Sequence, residues 1–214
     1  MILRARDIQK RFESRWVLRG ASLALEPGEC VLLQGPNGSG KTTFARILAT
    51  LLAPDRGGVE IEGVAPEKNR RGARRAIGFA SHQPHLYPGL TPLENLSFFG
   101  RLAGVPAAEA RAIGLLDRFA LTPFARTPME HFSRGMFQRV ALTRTLLPEP
   151  KLLILDEPYA GLDDEGTATL NELLADAKAR GAATLLIAHE RERPGALVTR
   201  SAALRNGVVE GEGS

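Results

Sequence analysis

Gly35-Pro36-Asn37-Gly38-Ser39-Gly40-Lys41-Thr42 is the stretch on which the reading of this chain turns. A short apolar run, residues 30–34, leads into it, and residues 42–52 behind it have helical periodicity. Strand, glycine-rich loop and helix in that order form the pattern of a phosphate-binding loop. Such a loop must bring successive backbone N–H groups onto phosphate oxygens. Glycines permit the backbone angles and the close approach, and the N-terminus of the following helix adds a favourable field. Gly35, Pro36, Asn37, Gly38, Ser39 and Gly40 are therefore expected to cradle phosphates, with Thr43 as a further contact. Lys41 is expected to bridge the β- and γ-phosphates and the Thr42 hydroxyl to bind Mg²⁺.

Lys151-Leu152-Leu153-Ile154-Leu155-Asp156-Glu157 supplies the second piece. A buried strand here delivers two carboxylates at its C-terminal end, the edge at which open α/β sheets bind ligands. Asp156 is expected in the Mg²⁺ shell, and Glu157 is placed to polarise an attacking water. An acidic pair at a strand end is common. Combined with the phosphate loop it specifies hydrolysis of a nucleoside triphosphate, with metal and lysine neutralising the transferred phosphoryl group.

The rest of the chain arranges itself around these two pieces. Residues 1–9 and 21–25 alternate in the strand manner and read as antiparallel strands separated by a polar stretch. Residues 57–62, 76–80 and 182–188 are further strand candidates, and 134–147 and 164–180 are helical, the latter closed by Gly181. From 84 to 132 the character changes. Helical stretches at 92–103 and 107–120 are punctuated by proline and glycine, and no strand is convincing. Alternating strands and helices imply a mostly parallel sheet covered on both faces. The expected organisation is one α/β domain over residues 1–214, with the core at 1–83 and 133–214 and a helical sub-domain at 84–132.

Composition limits the alternatives. In 214 residues, 43% hydrophobic and 24% charged exclude a disordered chain, a collagen-like chain and a coiled-coil rod. One cysteine, Cys30, excludes a disulfide scaffold and fits a reducing compartment; it reads as a small buried hydrophobe. No apolar run approaches the ~20 residues of a membrane helix, and the alternating start is unlike a signal peptide. The expectation is an intracellular chain whose membrane role, if any, requires a partner. The net charge of +4 is compatible with nucleic acid, an anionic membrane surface or a merely basic exterior. Five of the 28 basic residues are lysine, and the charge is spread except at Arg70, Arg71, Arg74 and Arg75. That spread favours the basic exterior, so no nucleic-acid partner is expected. The arginine cluster reads as a solvated face turned to the membrane side or to a partner.

Phe132-Ser133-Arg134-Gly135-Met136-Phe137-Gln138-Arg139 resembles the signature loop of ATP-binding cassette (ABC) ATPases, whose usual form is Leu-Ser-Gly-Gly-Gln. Other motifs follow in that family's order. Gln83 matches the glutamine-loop residue, a catalytic and metal-contacting position. Tyr159-Ala160-Gly161-Leu162-Asp163 matches the loop after the acidic pair, with Asp163 at the nucleotide. His189, 32 residues beyond Glu157, matches the switch histidine, and Phe12 takes the place of the aromatic that stacks on adenine. The resemblance covers essentially the whole chain and implies a phosphate-loop NTPase core that binds ATP and Mg²⁺. It also implies a head-to-tail dimer, either a homodimer or a pairing with a second cassette. In that dimer Ser133 and Gly135 contact the partner's γ-phosphate, and Glu157, His189 and Gln83 are catalytic.

Phe132, Arg134 and Met136 depart from the usual signature. Arg134 is either a cation for the partner's γ-phosphate or a tolerated solvent-facing side chain. His82 and His85 read as loop polar residues, with a metal pair as the alternative; Phe98, Phe99 and Phe119 read as core; Trp16 has no assignment from sequence beyond being a candidate to help Phe12 at the adenine. Three classes compete: the ATPase subunit of a membrane transporter, a non-transport ABC ATPase, and another phosphate-loop enzyme. No guanine-reading segment supports the last. The separation of 92 positions from Lys41 to Ser133 leaves no room for the long insertion usual in the second. The transporter reading implies an integral-membrane permease as partner and a place on the cytoplasmic face of the inner (plasma) membrane. Within it, residues 81–99 look like the ATP-binding subunit of the haem exporter of cytochrome c biogenesis, whereas Ser133-Arg134-Gly135-Met136 resembles the wider ABC-2-type exporters.

Overall fold

The computed structural model describes residues 1–81, 84–188 and 195–211. The chain opens with a long antiparallel hairpin, β1 (Leu3–Phe12) and β2 (Arg15–Leu25), which starts in register at Leu3↔Leu25. The expected polar gap between two short strands is instead strand on both sides. The ladder runs on to Phe12↔Arg15 because backbone pairing continues past the last buried side chains, and the turn forms at Glu13 with φ 52°. β3 (Cys30–Gln34) and α1 (Lys41–Leu48) flank the glycine-rich loop. β4 (Arg56–Ile61) pairs with β1, completing a three-stranded antiparallel sheet in the order β2-β1-β4.

After α2 (Arg70–Ala76) and β5 (Ile77–Ala80), the chain runs through α3 (Pro92–Ala103) and α4 (Ala108–Arg118) and two short 3₁₀ turns. Among the described residues this segment holds no strand. α3 begins with a full capping box: the Thr91 hydroxyl accepts from the Glu94 N–H, and the Glu94 carboxylate accepts from the Thr91 N–H. Pro92 at the first helical position and Gly104 at the end fix its limits. Inside it Asn95 is fully buried, accepting from Tyr87 N–H at 2.8 Å and donating to the Tyr87 and Thr91 carbonyls at 3.0 and 3.1 Å. That one side chain ties the segment 87–91 to the helix.

The remaining elements are α5 (Arg134–Leu146), β6 (Leu152–Asp156), α6 (Asp164–Ala179), β7 (Ala183–Ile187), β8 (Arg200–Arg205) and β9 (Val208–Gly211). The second sheet has the order β5-β6-β7-β3-β8-β9 and is parallel except for β9, as the alternation of elements predicts. Every residue of β6 and β7 is buried. Leu152, Ile154, Leu185 and Ile187 face one core, shared with the antiparallel sheet and α1; Leu153, Leu155 and Leu186 face the other, shared with α3–α6. This two-sided burial is why both strands are continuous apolar runs. Arg200 fastens the last strands to the hairpin region, donating to Glu29 at 2.5 Å and to the Ala24 carbonyl at 2.6 Å.

Candidate active site

Parallel register decides what meets at the sheet edge. Leu33 pairs with Ile187, and Ile187 pairs with Asp156, so the C-terminal ends of β3, β7 and β6 lie side by side. The glycine-rich loop leaves from the first and the acidic pair from the last. They stand two strand spacings apart, about 10 Å.

The loop is shaped by backbone that only glycine adopts easily. Gly35 has φ 151°, and a Cβ there would stand 2.4 Å from the Leu204 carbonyl oxygen. Gly40 caps α1 with φ 103°. Lys41 is buried, and its ammonium bends back to donate to the Gly35 carbonyl at 2.7 Å and the Pro36 carbonyl at 3.1 Å. The cation is thus held at the rim of the loop itself. Ser39 Oγ is buried with no hydrogen-bond partner among the described residues, a costly arrangement unless a ligand oxygen or water meets it. Pro36, Asn37, Gly38 and Thr42 are exposed, and Thr43 is half-buried at the start of α1. A lysine, N–H groups at a helix start and an orphan hydroxyl suit a phosphate chain, and the Thr42 hydroxyl and Asp156 carboxylate are the hard oxygens that Mg²⁺ prefers.

Asp156 is buried at the end of β6. Glu157 follows with φ 54°, a conformation that costs a non-glycine residue about 1–3 kcal/mol. Its N–H donates to the Ile187 carbonyl at 2.8 Å, which pins the strained residue to the end of β7. The side chain is thereby turned out of the strand direction into a cleft. Ser133, Arg134, Phe137 and Gln138 form the facing wall of that cleft. Among the described residues, none of 35–42 lines it.

Ser133 caps α5, its Oγ accepting from the Met136 N–H at 3.2 Å. Gly135, the second residue of α5, lies so close to the segment 159–163 that a Cβ would stand 2.6 Å from the Gly161 carbonyl oxygen. Arg134 is exposed and lays its stem along Gly161. Two further contacts bind α5 to the segment that follows the acidic pair: Gln138 donates to the Pro158 carbonyl at 3.0 Å, and Arg139 forms an ion pair with Asp163. Asp163 also caps α6 by accepting from the Gly166 N–H at 2.8 Å. That N–H, and then Arg139, hold its carboxyl below the ordinary range.

Phe12 lies at the tip of the first hairpin, 47% exposed, with the Lys10 ammonium 5.7 Å above its ring. Trp16, also exposed, carries the Arg11 guanidinium at 5.6 Å. Val17, next in the chain, packs on Gly40, where a Cβ would meet its Cγ1 at 2.9 Å. The hairpin tip therefore borders the glycine-rich loop, and two aromatic faces are available there.

Gln83 and His189, and His82 with them, lie outside the described residues. Reading by motif passed over Arg139 as the partner of Asp163, Asn95 as the anchor of 87–91, and Leu204 as the floor under Gly35. Only the first had a sequence signal, a basic residue within the quoted signature stretch.

Comparison with known proteins agrees with this geometry. A family model described as ABC transporter matches residues 18–160. The Nod factor export ATP-binding protein I of Burkholderia thailandensis is 36% identical over 210 residues, spanning 97% of this chain and 69% of that protein. The linearmycin resistance ATP-binding protein of Bacillus subtilis is 33% identical over 193 residues, 89% of this chain and 62% of that one. Among solved structures, an ATP-binding subunit of an ABC transporter superposes with TM-score 0.93 at 32% identity, covering 100% of this chain and 90% of that chain. A dimeric ATP-binding cassette in a post-hydrolysis state with ADP and phosphate superposes with TM-score 0.87 at 26% identity, covering both chains fully.

Proposed function

The chain belongs to the ABC transporter family of ATP-binding cassettes, and on that premise we propose how its residues work. It is an ABC-type ATPase, converting ATP and water to ADP and phosphate. The nucleotide lies along residues 35–43, with Phe12 against the base. Lys41, released from the Gly35 and Pro36 carbonyls, bridges the β- and γ-phosphates. Thr42 and Asp156, with Gln83, would hold Mg²⁺, whose charge would stabilise the transferred phosphoryl group. Glu157 orients water and takes its proton as oxygen bonds to the γ-phosphorus and the bond to the β–γ bridging oxygen breaks. His189 stabilises the transition-state charge. The observation that carries this reading is the shared edge of β3, β7 and β6, which sets the loop and the acidic pair at one end of the sheet.

Ser133 lines a cleft that the chain's own phosphate loop does not enter, and Gly135 follows it two residues on in α5. That supports their use on a second chain's nucleotide, in a head-to-tail dimer that closes on ATP and opens after hydrolysis. The dimer drives a separate integral-membrane permease at the cytoplasmic face of the membrane; no helix among the described residues is long and apolar enough to cross it. Residues 84–132 act as a helical unit, and the permease docks where that unit borders α2 and α5. The direction is export, as the name of the Burkholderia relative, a Nod factor export ATP-binding protein, favours. The relatives' names lend nothing to the haem resemblance of residues 81–99, and haem does not enter the proposal.

Glu157→Gln tests the catalytic reading. The variant should bind ATP normally, lose about 10²–10⁴-fold in turnover, and accumulate as an ATP-bound dimer on gel filtration. Full turnover would remove Glu157 from the mechanism.

A further inference from the structure

Between Glu67 and Glu94 the sequence has no acidic residue but five lysines and arginines, Lys68, Arg70, Arg71, Arg74 and Arg75. The four arginines fall on α2, a helix of seven residues. At about 100° per residue, Arg70 and Arg74 share one stripe of that helix, and Arg71 and Arg75 share the next. All four are exposed, while Ala73 on the opposite side is buried and Gly72 and Ala76 are half-buried. The helix thus rests on small residues and turns a face of guanidiniums outward. None of the four has an ion-pair or hydrogen-bond partner for its side chain among the described residues. Surface cations elsewhere do: Lys10 pairs with Asp55, Arg111 with Glu149 and Arg118 with Glu172. Like charges four residues apart repel, so the free chain holds this array at a cost that bound anions would remove.

The arginines have apolar company. Leu51, which follows α1, is 54% exposed, Leu102 near the end of α3 is 74% exposed, and both line the groove that the arginines border. Arg75 reaches across to the end of α3, where a Cβ on Gly104 would stand 3.2 Å from its Nη2. Cations flanked by exposed leucines suit the boundary between phosphate headgroups and acyl chains. Guanidinium also takes phosphate oxygens in pairs and is more weakly hydrated than an ammonium group.

We propose that α2 is a direct lipid contact: its four arginines bind the phosphates of anionic headgroups on the cytoplasmic leaflet, beside the permease rather than through it. The inference rests on the permease-driving reading above, which puts α2 at the border of the docking site and so next to the bilayer. Nucleic acid presents phosphates too, but on a narrow ridge with no apolar layer to receive Leu51 and Leu102. A planar leaflet engages the arginines and the leucines together.

The test uses the purified full chain without a permease, sedimented with phosphatidylcholine vesicles that hold about 30% phosphatidylglycerol. The chain should bind these and not pure phosphatidylcholine, and binding should weaken as salt rises from about 0.05 to 0.3 M. One arginine near the surface is worth about fivefold in partitioning, so Arg74→Gln with Arg75→Gln should lose about 25-fold, at unchanged ATP turnover. Arg56→Gln with Arg180→Gln removes equal charge from exposed sites outside α2 and should bind within about twofold of the unaltered chain. Equal loss in the two double variants would mean that net charge alone is read, and overturns the proposal. So does equal binding of neutral and anionic vesicles, or binding of neither. Tighter binding of a DNA duplex of about 20 base pairs, lost in the same α2 variant, overturns it in favour of nucleic acid. Failure of the permease reading would show separately: no integral-membrane protein would co-purify with the chain from a detergent extract, with vesicle sedimentation unchanged.

Discussion

Replacing Gly135 by alanine is a one-methyl probe of how the signature helix is coupled to the acidic pair. The added Cβ would stand 2.6 Å from the Gly161 carbonyl oxygen, and ordinary contact begins near 3.4 Å, so about 0.8 Å must open. Neither side yields easily. α5 is anchored one turn further on by Gln138 to the Pro158 carbonyl and by Arg139 to Asp163. The opposing segment is stitched by Ala160 N–H to the Glu157 carbonyl and by Leu162 N–H to the Tyr159 carbonyl. The displacement is therefore passed to Glu157 as well as to Ser133. A misplacement near 1 Å costs roughly 10²-fold in rate, so turnover should fall by about 10- to 100-fold. Overpacking costs about 1–3 kcal/mol, which in a chain of this size lowers the melting temperature by about 2–12 °C. Steady-state phosphate release, nucleotide titration and a thermal melt read the three quantities separately. Binding of ATP should be little changed, because the phosphate loop is not touched. Normal turnover in Gly135→Ala would refute the coupling.

Three further outcomes follow from single residues. Asn95→Ala removes the side chain that satisfies the buried Tyr87 N–H and should cost about 2–4 kcal/mol in urea unfolding; a loss under about 0.5 kcal/mol would mean water replaces it. Gly114 lies within α4, exposed, with nothing within 4 Å of an added Cβ, so Gly114→Ala should raise the melting temperature by about 1–4 °C. The Cys30 thiol is pushed up to about 11 by burial. It stays protonated and inert below that pH, so iodoacetamide at pH 8 should label the chain only after denaturation; native labelling would contradict the buried placement.

How much of this was legible depended on whether a segment's structure is set locally. β3, β6 and β7 are apolar on both faces because both faces are buried, so their runs stand out without any knowledge of neighbours. α3 announces itself through Thr91, Pro92 and Glu94, a signal complete within four residues. α2 does not, because it buries Ala73 alone and so shows no apolar stripe. β8 reads as Arg-Ser-Ala-Ala-Leu-Arg, too mixed to be recognised, and is a strand because β3 offers it an edge from Val31 to Gln34. The site shows the same division. Residues 35–42 and 156–157 are contiguous motifs, and their meeting could be expected from a parallel sheet. The pairing of Asp163 with Arg139 spans 24 positions and two helices, and exists only once α5 and α6 have packed.

Strand order also carries a consequence for synthesis. β3 is made before the other described strands of its sheet, yet its two neighbours, β7 and β8, follow it by about 150 residues or more. Leu204, whose carbonyl lies against Gly35, follows the glycine-rich loop by more than 160 residues. At ordinary elongation rates that interval is on the order of ten seconds. Throughout it the nascent chain holds the complete phosphate-binding motif without the strand that gives the loop its bed. The loop thus gains its bed only when β8 closes beside β3.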